Sequence, residues 1–168
     1  APKVQREFFD KEGVNDSGLE WSYLLPLPFF LDLTGGLTSG WTFGHAHSEG
    51  QRPLIPTHYL RAATYLELPG DGGAQLGLNY LGRKAANETQ QRYLGLDATA
   101  KWREGRTLMF LFQAEIWLRA LTPGGGETED TLGAYMFPQY GFDPSLQFGV
   151  RADYFSVLNQ KNAVGGSV

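Results

Sequence analysis

From Gly18 onward, apolar and polar residues alternate with a period of two, the pattern of strands that show different faces to different surroundings. Eight segments read this way, over 19–25, 29–41, 58–68, 74–83, 92–103, 107–121, 131–142 and 146–158. In the fifth, Leu94, Leu96, Ala98, Ala100 and Trp102 oppose Tyr93, Asp97, Thr99 and Lys101. In the sixth, Leu108, Phe110, Phe112, Ala114, Ile116 and Leu118 oppose Met109, Gln113, Glu115, Trp117 and Arg119. Pro138 weakens the seventh, because proline has no N–H for a ladder. No segment carries a 3.6 period.

The connections alternate in length. Short turns at 26–28, 69–73, 104–106 and 143–145 alternate with longer loops at 42–57, 84–91 and 122–130. That is the plan of an antiparallel up-and-down meander, with tight turns at one end and loops at the other. Residues 1–17 are polar and unpatterned and read as a lead-in; 18–158 hold the strands; 159–168 read as a polar tail.

One face of the segments is aliphatic and aromatic. The other carries Glu20, Asp32, Arg61, Glu67, Asp97, Lys101, Glu115, Arg119, Arg151 and Asp153. Two architectures share this pattern. A transmembrane barrel turns the apolar face to lipid and lines its lumen with charge. A soluble calyx does the reverse and holds an apolar ligand. Most segments run about ten to thirteen residues, long enough to span a bilayer as strands, which need roughly 9–11. Aromatics near segment ends (Phe29, Tyr80, Trp102, Tyr154) fit interfacial girdles. The expectation is therefore an all-β, antiparallel up-and-down transmembrane β-barrel in an outer membrane, with the lipid bilayer as its main partner and barrel-assembly or other membrane proteins as further ones. By the alternation, the chain enters its first strand and leaves its eighth on the long-loop side. Complete bacterial barrels have both termini on the other side, so a fragment of a larger barrel is expected.

Composition narrows the chemistry. A formal charge of −4 in 168 residues, without a Lys/Arg run, argues against nucleic-acid binding. The absence of cysteine removes thiolate metal sites and cysteine nucleophiles. His45 and His47, two apart, would face one way on an extended strand and could share a metal with Glu49 or His58, but a solvated polar loop is the favoured reading and no metal is expected. His47, Ser48 and Glu49 are sequence neighbours, whereas a catalytic triad needs side chains converging from separate elements. No enzyme and no cofactor is implied.

The stretches WSYLLPLPFFLDLTGGL, LGLNYLG, YLGLDATAKWR, FLFQAEIWLR and AYMFPQYGFDPSLQFGVRADYF, in this order over about residues 6–158, resemble a Gram-negative family of porin-like barrels often labelled zinc-regulated outer-membrane receptors or porins. The resemblance implies further barrel strands on both sides. The His-rich N-terminal segment of that family is absent here.

The functional expectation is passive passage of small polar solutes or ions past Arg61, Asp97, Lys101, Glu115, Arg119, Arg151 and Asp153. The alternatives are a non-transporting barrel serving as structural partner or receptor, and the soluble calyx. If Gly105 is the pivot of the hairpin between the fifth and sixth segments, Asp97 falls opposite Gln113, Gly95 opposite Glu115, and Lys101 opposite Met109.

Overall fold

The computed structural model describes residues 7–9, 16–40, 53–85, 87–105, 107–143 and 145–158. These form one antiparallel sheet of nine strands: β1 (Gly18–Leu24), β2 (Asp32–Thr38), β3 (Ile55–Leu68), β4 (Gly72–Lys84), β5 (Gln90–Glu104), β6 (Thr107–Thr122), β7 (Glu129–Gly141), β8 (Gln147–Gly149) and β9 (Ala152–Val157). Each strand pairs with the next in sequence as far as β8, and β9 also pairs with β7. The sheet is an open meander, in which β1 and β9 are not paired with each other. Among the described residues, no helix is long and apolar enough to cross a membrane.

The eighth segment is divided in the structure, and Pro138 explains the division. β8 and β9 pair with β7 in one continuous register, Gln139 with Gly149 and Met136 with Ala152. Between them Val150 N donates to the Pro138 carbonyl at 3.0 Å, but Pro138 has no N–H to return the bond. The ladder is one strand with one rung missing.

The second segment is shorter than its pattern predicts. Residues 27–29 bend, and the strand begins only at Asp32. Pro26 and Pro28 cannot join a ladder, so the turn closes through Leu25 N to the Leu31 carbonyl at 2.9 Å. Phe29 and Phe30 become exposed residues of the turn rather than strand residues.

The β5–β6 register also departs from the symmetric hairpin. Glu104 pairs with Thr107, and an irregularity between Trp102 and Arg103 inserts one extra residue into β6. Asp97 therefore stands opposite Glu115, Lys101 opposite Leu111 and Gly95 opposite Trp117. The displacement is two residues, which is one full side-chain period. Every residue keeps its face.

The two faces differ sharply. The apolar face is the exposed one: Leu96 is 56% and Phe148 64% accessible, and Leu60, Leu76, Leu78, Leu94, Ile116, Leu118, Met136 and Tyr154 are exposed with them. Between the row Arg92–Ala120–Asp130 and the β5–β6 turn, no residue of this face carries a charge. Trp102, Phe110, Tyr140 and Phe148 stand side by side across four strands at its short-turn end. Thr64, a hydroxyl within this face, donates to the Phe30 carbonyl at 2.7 Å.

The charged face is the more enclosed. Ala63, Tyr93 and Thr131 are buried on it, and a helical turn at Glu7–Phe9 lies against it. The Phe8 ring is 6.0 Å from that of Tyr93 on β5 and 5.9 Å from that of Phe155 on β9. Those residues are three strand spacings apart, roughly 14 Å on a flat sheet. This face therefore curves towards Phe8.

Candidate functional site

On the charged face the pairings align residues in rows across the strands. One row reads Asp32, Ala63, Gly77, Asp97, Glu115, Tyr135 and Asp153. It places four carboxylates at one height, which no single hairpin reveals. The adjacent row towards the long loops reads Thr34, Arg61, Asn79, Gly95, Trp117, Gly133 and Phe155.

Arg61 reaches diagonally across β4 to Asp97. Its Nη1 and Nη2 donate to the two carboxylate oxygens at 2.5 and 2.8 Å, the bidentate geometry that suits a guanidinium. Asn79 completes the group: its Oδ1 accepts from Arg61 Nη1 at 2.6 Å, and its Nδ2 donates to Asp97 at 2.6 Å. Gly77 lies beneath this bridge. A Cβ there would stand 2.6 Å from Arg61 Nη2 and still closer to Asp97 Oδ2, so the bridge needs the hydrogen of glycine.

Glu115 is held differently. Trp117 Nε1 donates to its Oε2 at 3.0 Å and Tyr135 Oη to its Oε1 at 2.8 Å. The Trp117 indole lies over Gly95, where a Cβ would come within 2.5 Å of the ring. Gly95 thus lies beneath the indole of Trp117 and not opposite Glu115.

The remaining predicted residues are spread along the face. Arg119 donates to Glu129 and Thr131, both at 3.2 Å, one row nearer the long loops than Arg61. Arg151 Nε donates to Asp153 at 2.8 Å. Lys101 lies near the short-turn end, in a hollow of about 720 Å³ shared with Tyr65, Glu67 and Arg103. A second hollow, about 560 Å³, lies chiefly among small residues of the apolar face, including Ala62, Ala98, Ala114 and Ala134. The structure therefore joins Arg61 with Asp97, sets Glu115 beside them, and leaves Lys101, Arg119 and the Arg151–Asp153 pair as separate stations.

No family model, curated protein or solved structure matches the chain.

His45 and His47, with Ser48 and Glu49, lie outside the described residues. His58 accompanies β3, where its Nδ1 is 3.2 Å from the Pro56 carbonyl oxygen. Among the described residues no group of three His, Cys, Asp or Glu side chains is placed to hold a metal.

Sequence reasoning missed the Phe8–Phe9 contact entirely. Phe8 is 3% exposed, and Phe9 lies 5.3 Å from Tyr93 and 5.1 Å from Trp117. Arg119 Cζ stands 5.2 Å from the centre of the Phe8 ring, a cation–π distance. The available signal was two adjacent phenylalanines in an otherwise polar stretch.

Proposed function

We propose that this sheet is wall of an outer-membrane β-barrel whose charged face lines a passage for small polar solutes or ions. The observation that carries the reading is the exposed, charge-free apolar face with an aromatic row along its short-turn end. On β5 that face runs from Leu94 to Trp102, about 26 Å at roughly 3.3 Å per residue. Tilted by about 40°, it covers roughly 20 Å along a membrane normal, close to the height of the apolar band of such barrels. In water, an exposed apolar surface of this extent would drive association.

The calyx alternative needs the aliphatic face inside, and here that face is exposed. In hydrocarbon the free edges of β1 and β9 would leave backbone groups unsatisfied, so the barrel reading requires further strands on both. A non-transporting barrel remains the second reading. Its support is the internal satisfaction of the charged groups, with Arg61 and Asp97 bound to each other and to Asn79.

Two substitutions test the faces. Phe112 lies one row from the centre of the apolar band, and Phe112→Arg would impair insertion or stability by about 2 kcal/mol or more. Gln113→Arg, on the other face, would fold and at most change selectivity. The opposite result would invert the faces and restore the calyx. Conductance in planar bilayers separates a pore from a non-transporting barrel.

A further inference from the structure

Resting on the barrel reading, we propose that the turn at Glu7–Phe9 is an inward-folded constriction that narrows the passage on the long-loop side of the carboxylate row. Its seat is built from four strands of the charged face. Tyr93 from β5, Trp117 and Arg119 from β6, Tyr135 from β7 and Phe155 from β9 surround the two phenylalanines, with Leu81 of β4 at the side. Tyr93 Oη also points to the Phe8 carbonyl oxygen at 3.5 Å.

A face that carries Asp97, Glu115 and Arg119 and lines a wet passage has no need of an aromatic cluster. Tyr93, Trp117 and Phe155 on it would present ring surface to water unless something covered them. Phe8 and Phe9 supply that cover: Phe8 is 3% and Tyr93 2% exposed. Thr131, beside Arg119 in the same row as Tyr93, is fully buried. Tyr135 stands in the carboxylate row, and the rest of the seat lies one and two rows from it. Solutes crossing the charged row would therefore pass the aromatic turn as well, and its rings would reduce the open cross-section there.

The chain lacks cysteine, so one introduced thiol reports on its own site. Thr131→Cys lies beneath the seat. Gln113→Cys lies on the same face, beyond the carboxylate row, and serves as the wetted control. Both are reacted with a water-soluble maleimide in reconstituted protein, with and without Phe8→Ala/Phe9→Ala, and flux is read in planar bilayers. The expected result is protection of Cys at 131 in the otherwise native chain and about tenfold faster labelling in the double alanine variant. Labelling at 113 would be rapid in both, and conductance would roughly double in the variant. If the double variant does not fold, Phe8→Ala alone, which removes the more deeply buried of the two rings, is read the same way. Unchanged labelling at 131 overturns the proposal. Faster labelling with unchanged conductance also overturns it, making the turn a lining rather than a constriction. If position 113 is shielded as well, or neither protein conducts although labelling responds, the pore reading itself fails and the constriction with it.

Discussion

Gly77→Ala is a small change with a large expected consequence, because the new methyl group lands inside the Arg61–Asp97 bridge. The carboxylate and guanidinium ends would have to move off the new methyl group, which strains the two bonds at 2.5 and 2.8 Å. The Arg61 side chain is 32% exposed and that of Asp97 19%, so the pair is neither a surface ion pair nor a fully buried one. Exposed pairs contribute roughly 0–1 kcal/mol, and breaking a buried one costs about 3–5 kcal/mol. A loss of about 1–2 kcal/mol is expected here. Glycine inside a strand is itself unfavourable by roughly 0.5–1 kcal/mol relative to alanine, so without the bridge the same substitution would stabilise.

The two effects have opposite signs, and a thermodynamic cycle separates them. Gly77→Ala is compared in the native chain and in an Arg61→Ala/Asp97→Ala background, by urea unfolding of reconstituted protein. Destabilisation in the first and neutrality or a gain in the second would give a coupling of at least about 1 kcal/mol. Equal effects in the two backgrounds, or a Gly77→Ala protein as stable as the native one, would refute the bridge as the reason for glycine.

Other consequences are open to direct measurement. Asp16 lies just ahead of β1. Burial raises its pKa, but hydrogen bonds from Ser39, Gly40 and Ser17 outweigh that and hold it below the ordinary 3.8. Its stabilisation of this corner is intact above about pH 4 and disappears as pH falls through the lowered midpoint, so an NMR titration with a midpoint at or above 3.8 would contradict the contact. Pro138→Val restores the N–H missing opposite Val150 and would raise stability by about 0.5–1 kcal/mol, with a slowly exchanging amide at 138; rapid exchange would mean that the rung does not form. Four carboxylates and two neighbouring guanidinium groups predict a mild cation preference that Glu115→Gln reduces, and a reversal potential unmoved by that change would count against passage along this row.

The meander was legible from the alternation of short turns with longer loops, and its two faces from parity alone. A residue's side of the sheet is fixed by whether its position is odd or even, and the long runs in β5 and β6 state that many times over. Register depends on the turn and on bulges, which leave little trace in composition. Nothing in Trp102, Arg103 or Met109 announces that β6 carries an extra residue there. The resulting error was nonetheless harmless to the faces, since a displacement of two residues returns every side chain to its own side. The Arg61–Asn79–Asp97 group was illegible for a different reason: it spans three strands, so its geometry is the sum of two registers and one diagonal. Phe8 and Phe9 were illegible because two residues have no period. What marks them is the surface they cover, since Tyr93, Trp117 and Phe155 converge only after the sheet has formed and curved. Pattern thus identified the sheet and its two faces, while the contents of the charged face came from contacts that no single strand encodes.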